Sequence, residues 1–238
     1  MHRISVNGMQ VDVVRKDIRN LHLGVYPPEG RVRVAAPLRV DDEAVRLAVI
    51  TKLPWIKRQQ TRFRTQERQS PREYTYRETH YFLGRRYLLN VIEHPGPSRV
   101  EVRGKAGIDL YVPAGSDAVR REQVMLKWYR KELKALIPPL IDTWQETLGV
   151  TVDDWGVKKM KTKWGSCNIE ARRIWLNLEL AKKSVQCLEY VVVHEMVHLL
   201  ERNHTDRFRE LMDRFMPQWR HYRDVLNQAP LSHETWCY

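Results

Sequence analysis

The sequence predicts an α+β fold, on three observations. Residues 1–36 and 81–112 each alternate apolar and polar side chains at period two, the mark of half-buried strands. Each stretch runs into an acidic or serine-led segment with apolar residues at helical spacing. Beyond residue 150, short strand patterns stand beside the apolar helical run that contains Val191, Val192 and Val193. The expected organisation is a β-rich region over 1–115, connecting helices over 116–149 and a C-terminal domain over 150–238.

In chain order, Gly8 breaks an early hairpin, and Val11, Val13, Leu21, Leu23, Val25, Val32 and Val34 mark the alternation. Pro27, Pro28 and Gly30 make a turn. Asp41 or Asp42 caps a helix carrying Val45, Val49, Leu53 and Ile56, and Pro54 kinks or restarts it. Residues 57–72 set six cations against the single acid Glu67, a helix tail plus linker. The second β stretch turns at Gly84 and at Pro95-Gly96-Pro97, and ends at Pro113. Ser116 or Asp117 then caps a long helix that Pro138 and Pro139 should interrupt before Gly149 closes it.

A weak internal repeat runs through this half. Val34 to Pro37, Glu43-Ala44-Val45-Arg46 and Trp55 parallel Val112-Pro113, Asp117-Ala118-Val119-Arg120 and Trp128. Shared helix-entry chemistry accounts for the match as well as duplication does.

In the last part, residues 157–164 and 173–178 read as strands joined by a turn at 168–171, and Ser184 caps the next helix. That helix holds His194-Glu195-Met196-Val197-His198, with His204 six residues on. Positions four apart share a helix face, so His194 and His198 can meet one ion. His204 can join them only if the helix stops and the chain turns back, with Asn203 as the expected left-handed residue. Thr205 can cap a new helix whose buried stripe is Phe208, Leu211, Met212 and Phe215.

Three histidines without a fourth protein ligand fit a zinc site with an open position. Zinc lowers the pKa of a bound water to about 7, and Glu195, beside the ion, would carry its proton. The competing reading is a buried helix whose histidines only hydrogen bond.

Composition narrows the class. A chain of 238 residues with 42% hydrophobic content can build a real core. It has no 18-residue apolar run, so no membrane span is expected, and no apolar signal core at its start. Cys167, Cys187 and Cys237 are few and odd in number, which suits reduced thiols in a cytoplasm. The net charge of +12 favours anionic partners, nucleic acid among them.

At Lys161-Thr162-Lys163-Trp164-Gly165-Ser166-Cys167, then Ile174-Trp175-Leu176-Asn177, then the histidine stretch with Asn203, Phe208 and Pro217, the chain resembles the YgjP-like metal-dependent hydrolases. These are relatives of the SprT-like zinc proteases within the zincins. The resemblance covers about 150–226 strongly and the front half loosely. It implies a minimal zincin fold, with a small sheet beside the active-site helix. It also implies His194, His198 and His204 as zinc ligands and Glu195 as catalyst. Two departures stand out: Glu201 occupies the place where metzincins carry Gly, and Lys163 stands where Arg is more usual.

Lys163, Trp164, Ser166 and Asn177 are the candidate substrate-binding residues. Cys167 has no sequence partner that would make it a nucleophile, and Cys187 reads as core. A zinc peptidase would take an extended peptide along an edge strand, offered by 173–178. The alternative is a metal-dependent nucleotide pyrophosphatase of the UTP type, using the eight cations between Lys158 and Lys183 as phosphate clamps. A nucleic-acid-associated protease is a third possibility.

Overall fold

The computed structural model describes residues 1–26, 29–65, 72–160 and 163–228, apart from the side chains of Arg62, Thr65 and Gln228. Among these residues the fold is α+β, with three small mixed sheets and six α-helices. The chain divides into two compact units, 1–71 and 72–229.

The first unit contains strands β1 (His2–Val6), β2 (Met9–Lys16), β3 (His22–Tyr26) and β4 (Arg31–Pro37), in the spatial order β1-β2-β4-β3. Only the β2–β4 pairing is parallel. The alternating valines meet in register, Val11 opposite Val32 and Val13 opposite Val34. They form one buried face with Val6, Val45, Val49 and Ile56. Asp41, rather than Asp42, caps helix α1 (Asp42–Thr51) by accepting from Ala44 N at 2.8 Å. The chain breaks at Lys52 and restarts as α2 (Leu53–Thr65), with Pro54 in the first turn, where its missing N–H costs nothing. Residues 66–71 of the expected basic linker, Glu67 and Arg68 among them, lie outside the described residues.

The second unit opens with β5 (Thr79–Phe82), β6 (Arg85–Glu93), β7 (Arg99–Arg103) and β8 (Gly107–Val112), ordered β5-β6-β8-β7. Again the inner pair alone is parallel. Strand order, pairing senses and the following helix thus match the first unit. Capping aligns Asp41 with Asp117, each four residues beyond a proline, so the sequence parallel drawn from Glu43 was two residues out of register.

Helix α3 (Ala118–Leu148) runs unbroken through Pro138 and Pro139, against expectation. The two prolines withhold hydrogen bonds from the carbonyls of Lys134 and Ala135, both on the exposed side, where water can satisfy them. Leu133, Ile137 and Ile141 continue one buried stripe across the site. Burial of each is worth about 1.5–3 kcal/mol, enough to outweigh the local defect.

The third sheet consists of β9 (Asp154–Lys158), β10 (Gly165–Asn168) and β11 (Arg173–Asn177), ordered β10-β11-β9. The expected strand over 157–164 is therefore corrected: β9 ends at Lys158, and Trp164 precedes a separate strand. β11 lies in the centre, parallel to β9 and antiparallel to β10, so it is not the edge strand. That role falls to β10. A 3-10 turn (Leu178–Lys182) leads to α4 (Val185–Val197), α5 (Asp206–Phe215) and α6 (Trp219–Gln228).

Helix α4 is apolar nearly all round, as a core helix must be. Val191, Val192 and Val193 are poor helix formers, and burial rather than propensity holds them there. One core joins them to Leu89, Leu110, Met125, Leu133, Ile174 and Phe208. Cys187 lies in that core as expected.

Candidate metal centre

Ser184 starts α4 by accepting from Cys187 N at 3.3 Å, which fixes where the helix begins. His194 and His198 then share a face, with ring centroids 5.0 Å apart. The helix ends at Val197, and His198 itself is the C-cap in an ordinary right-handed conformation. Tight bonds from Leu199 N to Met196 O and from Leu200 N to Val197 O finish the turn. Asn203 is not left-handed, contrary to expectation, and a carboxylate does the turning work instead. Glu201 Oε1 accepts from Asn203 N at 3.2 Å, and its backbone carbonyl accepts from His198 Nδ1 at 3.1 Å. Thr205 caps α5 through Phe208 N, as its sequence position predicts.

His204 is thereby returned to the first two histidines. Its Nε2 lies 3.0 Å from His194 Nε2, and one nitrogen from each of the three rings falls within 4.8 Å of the others. Phe208 packs beneath all three, with centroids 5.0, 4.7 and 4.7 Å from the rings of His194, His198 and His204.

These residues fit a metal ion. The His198 Nδ1–H bond to a carbonyl leaves Nε2 as a free lone pair, the arrangement a ligating imidazole needs. His194 Nδ1 is buried with no partner among the described residues, and its Nε2 faces only another imidazole. Burial, with His198 and His204 adding to it, pushes His194 down to about 3, so the ring stays neutral. Ligand atoms around a tetrahedral zinc stand about 3.3 Å apart, and the His194–His204 nitrogen pair, at 3.0 Å, is close to that. The donor set is all imidazole, which suits zinc better than magnesium.

Glu195, next in the chain to His194, lines the same cleft as the three histidines and is buried. Burial pushes its carboxyl up to about 8, against the pull of the Lys163 ammonium. Gly165 of β10 makes the space it occupies: a methyl group there would lie 2.6 Å from Glu195 Oε1. A cleft of about 1210 Å³ opens over this group. Lys163, Trp164, Gly165, Ser166 and Cys167 form one wall, and Leu199, Leu200, Arg202 and Asn203 lie on the rim beyond the histidines.

Of the sequence candidates, the three histidines, Glu195, Lys163, Trp164 and Ser166 all come together at the cleft. Asn177 does not. It is buried, and its side-chain amide is spent on the backbone. Nδ2 donates to Met160 O and Lys163 O at 2.9 and 2.8 Å, and Oδ1 accepts from Met160 N and Glu179 N at 3.3 and 3.2 Å. It braces the segment that carries Lys163 and is not among the residues lining the cleft. Cys167 faces the cleft, but burial and the nearby Glu195 push its thiol up to about 11, which leaves it inert at neutral pH.

Sequence reasoning missed Tyr190, Gly165 and the floor role of Phe208. Tyr190 was findable: it sits four residues before His194, one turn up the same face, and its ring is 5.8 Å from that imidazole. Gly165 and Phe208 gave no such signal, because their roles depend on which elements cross them.

Three convergent imidazoles with a buried carboxylate alongside define a metal-centre geometry of hydrolase type. The family model described as a YgjP-like metallopeptidase domain matches residues 20–229. The chain belongs to the YgjP-like family, a family of metal-dependent hydrolases. A search of curated proteins gives no match. No helix among the described residues is long and apolar enough to cross a membrane.

Proposed function

We propose that this protein is a zinc-dependent peptidase with His194, His198 and His204 as ligands and Glu195 as the proton carrier. The observation that carries the reading is the convergence of the three imidazoles beside the buried Glu195 carboxylate. A bound zinc ion would supply Lewis-acid activation of water and of the scissile carbonyl at its open position.

The chain's own residues do the rest. Edge strand β10 offers unpaired backbone groups along the cleft wall, where an extended peptide can add as a further strand. Glu195 accepts a proton from the attacking water and returns it to the leaving nitrogen. Its burial raises its basicity, and the Lys163 ammonium pulls the other way, toward the ionised form that accepts the proton. Trp164, packed against the core, gives the cleft wall an apolar surface beside the site.

The test pairs zinc-loaded wild type with Glu195→Gln on an unfolded protein and on a nucleoside triphosphate panel scored for pyrophosphate. The expected result is Glu195-dependent peptide cleavage, with equal zinc in both proteins by elemental analysis. His204→Ala should lose the zinc. Glu195-dependent pyrophosphate release without peptide cleavage would replace this reading with nucleotide hydrolysis.

A further inference from the structure

The first unit carries a charge excess that the hydrolytic site does not use. Residues 1–71 hold 14 Lys and Arg against 7 Asp and Glu. The acids of that unit are largely committed elsewhere. Asp12 is buried between Arg3 and Arg31, Asp42 pairs with Arg15 and His2, Glu43 with Arg46, and Asp41 caps α1. Helix α2 contains no acidic residue at all. Lys52 just before it, and Lys57, Arg58 and Arg64 on it, are exposed and have no ion pair among the described residues.

The orientation of α2 decides what this face can bind. Its apolar stripe is spent inward: Ile56 is fully buried, and Gln60 Nε2 donates to Gly30 O at 2.9 Å. Gly30 is pressed so close that a methyl group there would lie 2.6 Å from Gln60 Cγ. No apolar stripe is left for insertion into a bilayer, so the outward face is cationic without being amphipathic. It does carry one aromatic. Trp55 is 36% exposed and stands three residues before Arg58, hence beside it on the helix surface. Lys57 and Arg64 are two turns apart, about 10 Å along the axis. Lys57 and Arg64 lie on one flank of the outward face, Arg58 near its middle and Trp55 on the other flank, so a single-stranded nucleic acid crossing the face meets phosphate-binding cations and then an indole on which a base can stack.

We infer that the outward face of α2 is a binding surface for single-stranded nucleic acid, reading no sequence. It stands on the first unit alone and is independent of the peptidase reading.

The experiment is fluorescence anisotropy of an oligothymidylate of about 20 nucleotides, titrated with the full zinc-loaded chain over a salt series. Four phosphate contacts predict a log–log salt slope of about −3, so affinity should fall about fifty-fold between about 50 and 200 mM salt. The triple substitution Lys57→Gln, Arg58→Gln, Arg64→Gln should bring the slope to about −1. Trp55→Ala should weaken single-strand binding about tenfold and leave the slope unchanged. Glu195→Gln should bind as wild type does. Far-ultraviolet circular dichroism and zinc content verify that each variant is folded. A triple variant that binds with the parent slope overturns the inference, as does a slope near zero in the parent. Binding to phosphatidylserine vesicles with none to the oligonucleotide overturns it in favour of a membrane surface.

Discussion

Replacing Gly165 with Ala would probe the proposed role of the Glu195 carboxylate without substituting it. The backbone at Gly165 is not left-handed, so alanine meets no conformational penalty there. The new methyl group would stand 2.6 Å from Glu195 Oε1, 2.7 Å from Cγ and 2.9 Å from Cδ. Ordinary contact begins near 3.4 Å, so the carboxylate must withdraw by about 0.8 Å. Both groups are buried, and the clash reaches back to Cγ, so turning the carboxylate tip alone does not relieve it. Misplacement of a reacting group by about 1 Å costs on the order of 10²-fold in rate. Overpacking costs about 1–3 kcal/mol of stability, offset by about 0.4–1 kcal/mol from the stiffer unfolded chain. The expected variant therefore keeps its zinc, loses about 1–2 kcal/mol of stability and turns over on the order of 10²-fold more slowly. Peptide cleavage, elemental analysis and urea unfolding measure the three. The decisive control is the double variant: with Glu195→Gln already present, Gly165→Ala should cost no further rate. Wild-type turnover in Gly165→Ala, or an additive loss in the double variant, would refute the steric argument.

Two further substitutions test the frame around the site. His80 is buried, its Nε2 is 3.5 Å from Glu78 Oε1, and burial together with Arg72 and Lys182 pushes it down to about 3 from 6.5. Its folded-state pKa is depressed, so the neutral ring stabilises the fold above pH 6.5 and that stability is lost as pH falls toward 3. Between pH 7 and pH 5 this predicts a loss of about 2 kcal/mol that His80→Leu should abolish, read as the difference in urea midpoints at the two pH values. Equal pH dependence in both proteins would refute it. Asn177→Ala should cost about 2–4 kcal/mol, since it strands the N–H groups of Met160 and Glu179, and hydrogen exchange should accelerate at Lys163 and Trp164. Unchanged exchange there would remove its bracing role.

What was legible in the sequence is what local chemistry determines. The caps at Ser184, Thr205 and Asp117 each satisfy an orphan N–H three residues on, and no distant contact is needed to place them. The pairing of His194 with His198 follows from helical period alone. The reading failed where distant parts of the chain decide. The break expected at Pro138 was a sound local inference overruled by the stripe of Leu133, Ile137 and Ile141 on either side of it. Asn203 was assigned a left-handed turn because Glu201 could not be seen to hold the loop from its side chain and carbonyl. Asn177 stood beside the W-G-S-C segment and looked like a site residue. Its face of β11 in fact points at the backbone of 160–163.

The two four-stranded sheets make a controlled comparison of how the second came to serve the metal helix. Each opens with a two-residue hairpin, Asn7-Gly8 and Leu83-Gly84, with all four residues left-handed. Asn is the ordinary choice for the first position, and a leucine there is strained by about 1–2 kcal/mol. Leu83 sits in that position against the main core, and its N–H donates to Ala181 O at 2.9 Å, in the turn that leads into α4. Gly84 approaches the start of that helix: a methyl group there would lie 3.1 Å from the backbone of Ser184. At Gly8 the same methyl would meet nothing within 4 Å. The φ values are +79° and +75°, so the backbone cost of alanine is nearly equal at the two sites and cancels in their difference. Gly84→Ala should therefore destabilise its unit by about 1–3 kcal/mol more than Gly8→Ala destabilises its own, the excess being the contact with Ser184. It should also weaken zinc retention against a chelator, because a displaced Ser184 shifts the start of α4 and with it the His194–His198 face relative to His204. Equal costs in the two hairpins, with equal zinc retention, would show that the second sheet does not hold the site helix.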